Sequence, residues 1–219
     1  MKFVNKKLFL YSSLVLWFLA AATLIGLTEE VVNSERVVSF DKYWSLIFLS
    51  WRSNLGVSIF SILTWLGNWQ LVILLIILVI YFLLKKKQQT FITPFIFTIA
   101  SAEIVTFIGK LLVGRSRPIG AAIYETDFSF PSGHATIAVA FYGYLAYILC
   151  KSAKNKKQPL VVSGITLFLI LLIGFSRLYL GVHYISDVLA GYLVGLLALI
   201  AGINLNEWLE IRSSQKSEQ

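Results

Sequence analysis

The sequence predicts an all-α integral membrane protein: six transmembrane helices, with amphipathic surface helices between the first and second spans. Three observations predict this. Hydrophobic residues make up 58% of the 219 and charged residues only 14%. The apolar residues fall in runs close to the ~20 that cross a bilayer as a helix. The cations cluster in short segments between those runs, the pattern that orients membrane proteins.

Taken in order, Leu8 to Leu27 reads as an uncleaved first span, because it is long and ends without a small-residue cleavage signal. Glu29 to Asp41 is polar and acidic and is placed outside the membrane. Tyr43 to Asn68 carries Trp44, Trp51 and Trp65, broken by Arg52, Ser53 and Asn54, and reads as amphipathic helices at the outer surface. The remaining spans are expected at about Gln70–Leu84, Phe91–Val113, His134–Leu149, Leu160–Phe175 and Tyr184–Ile203.

With this arrangement twelve of the 19 cations lie on the inner side: Lys2, Lys6, Lys7, Lys85, Lys86, Lys87, Lys151, Lys154, Lys156, Lys157, Arg212 and Lys216. The other seven lie outside, so both termini are expected in the cytoplasm. The net charge of +8 therefore reflects membrane topology and does not call for nucleic acid. The single cysteine, Cys150, excludes an internal disulfide or a cysteine metal cluster. Residues 1–219 read as one domain without internal repeats, and nothing in the sequence specifies an oligomeric state.

Three stretches carry chemistry. In Ser176-Arg177-Leu178-Tyr179-Leu180-Gly181-Val182-His183-Tyr184-Ile185-Ser186-Asp187, His183 and Asp187 stand at i, i+4, so on a helix the carboxylate can hold one ring nitrogen and leave the other to attack or to bind a metal. Arg177 offers a guanidinium for an anion. In Lys110-Leu111-Leu112-Val113-Gly114-Arg115-Ser116-Arg117-Pro118, a continued helix stacks Lys110 and Arg117 on one face until Pro118 ends it. Arg115 points away from that face and is expected to snorkel to the head groups. In Pro131-Ser132-Gly133-His134, Ser132 is a natural N-cap and Gly133 allows close approach, so the helix start cradles an anion beside His134.

The derived topology places all three stretches on the outer face, where two histidines, a carboxylate, several cations and a helix start assemble a phosphoryl-transfer site without a metal. Glu125 and Asp127 are expected to be solvated loop acids, with no third partner at ligand spacing. Glu103 lies two turns before Lys110 on the same face, where it either neutralises a cation or meets substrate.

The patterns Lys110-x6-Arg117-Pro118, Pro131-Ser132-Gly133-His134 and Ser176-Arg177-x5-His183-x3-Asp187 resemble the three signature motifs of the type 2 phosphatidic acid phosphatase (PAP2) superfamily, over about Phe91 to Ile203. The resemblance implies a membrane lipid phosphatase without a cofactor, acting on undecaprenyl pyrophosphate, phosphatidylglycerol phosphate or phosphatidic acid. It implies that His183 attacks phosphorus, Asp187 fixes its tautomer, and His134 serves as general acid and then base. Lys110, Arg117, Arg177, Ser132 and Gly133 would hold the phosphate oxygens. A phosphotransferase on the same scaffold is one alternative. A non-enzymatic transporter of lipid or phosphate is the other, though it has no use for the His183–Asp187 pair and would often show internal symmetry. A bacterial cell membrane is the expected location, with the site facing outward. Selectivity among lipids is expected to arise in the segment before Gln70 and in the spans lining the entrance.

Overall fold

The computed structural model describes residues 2–216, apart from the side chains of residues 2–7, 9 and 216. The inner cations Lys2, Lys6, Lys7 and Lys216 are therefore outside the described side chains. The chain is all-α: α1 (Lys2–Asn33), α2 (Glu35–Ser50), α3 (Asn54–Thr64), α4 (Trp69–Lys85), α5 (Ile92–Val113), α6 (Gly133–Ile137), α7 (Gly143–Lys151), α8 (Lys157–Tyr179) and α9 (Ile185–Lys216). A π-type turn over Ala138–Tyr142 joins α6 to α7, so Gly133–Lys151 makes one span.

Among the described residues, α1, α5, the α6–α7 unit, α8 and α9 are long and apolar enough to cross a bilayer. The sixth expected span is α4, a shorter apolar helix of 17 residues. Many of its apolar side chains, like many on α1 and α8, are exposed, among them Ile77, Phe18, Leu160 and Phe168. With acyl chains as the surrounding solvent, such surface is solvated, and the backbone polar groups along the span are met inside the helix.

The amphipathic segment is the α2–α3 pair, bent by 117° at Trp51-Arg52-Ser53. The bend is tied to the end of α8: Arg52 Nε donates to the Tyr179 carbonyl at 2.7 Å, and the Tyr179 hydroxyl donates to the Trp51 carbonyl at 3.0 Å. Ser53 then caps α3 by accepting from the Gly56 N–H at 3.1 Å. Asp41 departs from expectation. It sits within α2 rather than in a solvated outer segment, and it is 1% exposed.

The centre of the bundle is α9, which packs against α1, α5 and α6. Its face toward α6 is built from Gly191 and Gly195, one turn apart, with Ala190 and Ala198 beside them. A Cβ built on Gly191 would lie 2.5 Å from the Ser132 carbonyl oxygen, and one on Gly195 would lie 2.5 Å from that of Thr136. Backbone thus meets backbone, the close approach that small residues at i, i+4 allow between helices in lipid. Nothing wider fits, because the opposing atoms are main chain.

Gly195→Ala should therefore overpack the α6–α9 contact at a cost of about 1–3 kcal/mol. Gly26→Ala in α1, whose added Cβ meets nothing within 4 Å, should be neutral or slightly stabilising. Melting curves in detergent check this; equal melting temperatures for the two variants would contradict the close-packing account.

Candidate active site

The three chemistry-bearing stretches meet at one end of the bundle, around a cavity of about 470 Å³. The first stretch reaches it differently from expectation. The helix stops at Val113 because Gly114 takes a left-handed φ of 60° and caps it, its N–H bonding the Lys110 carbonyl at 3.0 Å. Lys110 therefore projects from the last turn of α5, whereas Arg117 comes from the non-helical segment that follows. Both line the cavity, so the pairing of cations survives although the continued helix does not.

Arg117 is held by two carbonyls, donating from Nη1 to Val182 at 2.7 Å and from Nε to Asp127 at 2.9 Å. Its Nη1 also lies 3.3 Å from Nε2 of His183. A guanidinium only donates, so Nε2 is the acceptor and the ring proton belongs on Nδ1. Nδ1 faces Asp187 Oδ2 at 3.5 Å, longer than a formed hydrogen bond. His183 is 3% exposed. Burial first, then the cations Arg177, Arg117 and Lys110, push its pKa well below the usual imidazole range. The ring is neutral, with its lone pair turned toward the cations.

Asp187 lies in the first turn of α9, where the helix dipole favours an anion. Its Oδ2 accepts the Tyr184 N–H at 2.8 Å, and its Oδ1 accepts from Arg115 Nη1 at 2.6 Å. Arg115 does point away from the Lys110 face, but it does not snorkel. It is a largely buried bridge: Nη2 reaches Asp41 at 2.8 Å, Nη1 also reaches the Ser186 hydroxyl at 2.7 Å, and the guanidinium lies 4.3 Å from the centre of the Tyr184 ring. Burial opposes its charge, yet Asp187 and Asp41 outweigh that and push its pKa up.

The second stretch places Ser132 at the start of α6 without a side-chain cap. Its N–H instead bonds the Asp187 carbonyl at 3.0 Å, and its buried Oγ has no protein partner. The expected N-cap is thus an uncommitted hydroxyl. Gly133 and His134 line the cavity together with His183. His134 is fixed from behind by Gly67, where an added Cβ would sit 3.0 Å from its Cδ2. Arg177, 1% exposed, donates from Nη1 to Thr64 at 2.8 Å and from Nη2 to the Glu125 carboxylate.

Glu125 and Asp127 are not idle loop acids. Asp127 pairs with Arg117 and lies 2.9 Å from Lys110 Nζ, and Glu125 holds Arg177. Burial works against the charge on Asp127, but Lys110 and Arg117 prevail and its pKa is pushed down to about 2. Their position in a polar loop gave the sequence no signal of this. Asp41, Ser186 and Thr64 escaped too, since none belongs to a recognisable pattern. Glu103 lines the same cavity on the face of Lys110, as its spacing indicated. Past it the wall is apolar, formed by Val72, Ile73 and Ile76 of α4 with Ile99 and Phe107 of α5. Among the described residues no three of His, Cys, Asp and Glu converge at metal-binding distance.

The chain is similar to known proteins. Over 93 residues the chain is 41% identical to phosphatidylglycerophosphatase B of Bacillus subtilis (strain 168), a match covering 40% of this chain and 44% of that protein. Over 102 residues it is 33% identical to the undecaprenyl-diphosphatase BcrC of the same organism, covering 43% and 47%. The chain thus matches less than half the length of each. The crystal structure of a transmembrane PAP2-type phosphatidylglycerolphosphate phosphatase from Bacillus subtilis superposes with a TM-score of 0.79 at 26% identity, covering 91% of this chain and 96% of that one. The PAP2 superfamily model matches residues 91–210, more than half of the chain and all three motifs, and the chain belongs to the PAP2 superfamily.

Proposed function

We propose that this protein is an integral-membrane lipid phosphate phosphatase that removes the terminal phosphate of undecaprenyl pyrophosphate or phosphatidylglycerol phosphate, and possesses the chemistry to act on phosphatidic acid. The observation that carries this is the neutral His183, with Nε2 turned into a cluster of Lys110, Arg117 and Arg177. The cavity continues from that cluster into an apolar cleft between α4 and α5. A phosphorylated head group fits the first part and an acyl or prenyl tail the second. The activities for which the two Bacillus subtilis relatives are named agree with this substrate class.

In this reading His183 Nε2 attacks phosphorus in line with the leaving oxygen, and a phosphohistidine forms. Asp187 accepts the Nδ1 proton's hydrogen bond and stabilises the imidazolium; contacts of this kind tighten in the reacting complex. Lys110, Arg117 and Arg177 hold the equatorial oxygens, joined by the free Ser132 hydroxyl and the Gly133 N–H. His134 protonates the leaving oxygen, then takes a proton from the water that attacks phosphohistidine. The cations supply the charge that a divalent metal supplies elsewhere, so activity is expected to persist in EDTA. That Lys110, Arg117, Gly133, His134, Arg177 and His183 line one cavity, with Asp187 and Ser132 beside it, supports this assignment of roles. The bacterial relatives support a bacterial cell membrane, and the excess of inner cations supports both termini cytoplasmic with the site facing outward.

Phosphate release from these lipids in detergent with EDTA is the test. Wild type should hydrolyse them without an added acceptor, His183→Ala should lose turnover, and Ser132→Ala should lose about 10²–10³ in rate. Near-wild-type turnover by His183→Ala would sink the assignment.

Glu125 and Asp127 hold the same three cations that must grip phosphate, so substrate has to displace them. Half-exposed ion pairs are each worth up to about 1 kcal/mol. Asp127→Asn should therefore tighten inhibition by inorganic phosphate about fivefold for each pair released. Weaker phosphate inhibition would show instead that Asp127 holds the cations in their binding geometry.

A further inference from the structure

Asp41 lies outside the three motifs and outside the matched region, on α2, yet it reaches the rear of the site. Its Oδ1 accepts the N–H of Ser186 at 3.2 Å, in the first turn of α9. Its Oδ2 accepts from Arg115 Nη2 at 2.8 Å and from the Ser186 hydroxyl. The other fork nitrogen of Arg115 holds Asp187 at 2.6 Å. One guanidinium therefore bridges two fully buried carboxylates, and only one of these faces the imidazole. A planar fork fixes both in direction as well as distance.

We propose that Asp41 is a positioning residue for the reaction: through Arg115 it fixes Asp187 against His183, and it leaves the bridged trio with one net negative charge beside the imidazole. Were Arg115 a counter-ion to Asp187 alone, it would cancel the charge that must stabilise the imidazolium as the N–P bond forms. Asp41 shares that cation, so Asp187 keeps its effect. This inference rests on the reading of His183 as nucleophile.

Several groups face the pair. Lys110, Arg117, Arg177 and His134 lie toward His183; Arg115 and the Tyr184 N–H lie toward Asp187; Arg115, Ser186 and the Tyr184 phenol lie toward Asp41. Asp41→Asn alters one charge among them and retains an acceptor for the Ser186 N–H. A residue that merely caps α9 would tolerate that change, whereas an electrostatic positioning residue would not.

The experiment compares wild type, Asp41→Asn, Arg115→Lys and His183→Ala in detergent, measuring phosphate release from phosphatidic acid across pH together with melting temperature. For Asp41→Asn, kcat should fall about 10- to 100-fold, the range for outer-shell partners that orient a histidine, with KM little changed. The acid limb of the kcat/KM profile should move down by about one pH unit, because a histidine that loses a nearby negative charge holds its proton less tightly. Arg115→Lys, which cannot bridge both carboxylates, should lose kcat in the same range, and it carries the test should Asp41→Asn not fold. Wild-type kcat and pH profile in Asp41→Asn would overturn the proposal, as would a rise in KM at unchanged kcat. Activity in His183→Ala would instead remove the nucleophile reading. An inactive His183→Ala beside a wild-type-like Asp41→Asn would remove the role of Asp41 alone.

Discussion

Compensation of buried charge is the constraint on which the rest of this structure depends. Lys110, Arg115, Arg117 and Arg177 crowd one end of a membrane bundle, and such a cluster is tolerable only if anions surround it. Among the described residues four acids form ion pairs with these cations: Asp41, Asp187, Glu125 and Asp127. They divide into two kinds. Asp41 and Asp187 have fully buried side chains locked to Arg115, while the Asp127 side chain is 51% exposed and Glu125 is partly exposed on the loop. The buried pair belongs to the permanent framework of the site. The loop pair carries two negative charges, the same number as a phosphate dianion, so exchanging one for the other leaves the cluster's charge balance intact.

That charge cluster is held in place by packing that contains almost no side chain. The α6 backbone reaches α9 over Gly191 and Gly195, which is what lets the Ser132 N–H bond the Asp187 carbonyl. A wider residue on this face of α9 would separate the second motif from the third. The same contact explains why the Ser132 hydroxyl is left over: the backbone is satisfied across the interface, and the side chain is not needed as a cap.

Much of the site was legible in the sequence, because motif spelling encodes which residues converge. His183, His134, Lys110, Arg117, Arg177 and Gly133 all line one cavity, as three separated patterns indicated, with Asp187 and Ser132 directly behind. The spans were legible too, since lipid as solvent leaves a long apolar run few other structures to adopt. What escaped was partner choice. Arg115 lies off the cavity that Lys110 lines, but beyond the end of α5 helical spacing no longer sets its direction, and no spacing rule could show that Asp41, 74 residues earlier, waits there. Likewise Glu125 and Asp127 read as loop acids because their cations come from α5, α8 and the segment after Gly114, which only the fold assembles. Helix termination was misjudged for a local reason: a glycine free to take positive φ ended α5 before Pro118 had the chance.

The segment between the first span and α4 looks peripheral by composition, yet it touches all three motifs. Asp41 meets Arg115 of the first, Gly67 backs His134 of the second, and Thr64 accepts from Arg177 of the third. The bend at Trp51-Arg52-Ser53 anchors this segment to the end of α8, so α2 and α3 are registered to the same elements that carry the third motif. Side chains in a motif have fixed identities but retain rotatable bonds. Their orientations are set by what packs behind them, and here that backing comes from a stretch outside the region by which the family is recognised. Two chains with identical motifs and different residues at positions 41, 64 and 67 would share the reacting groups and differ in how firmly those groups are aimed.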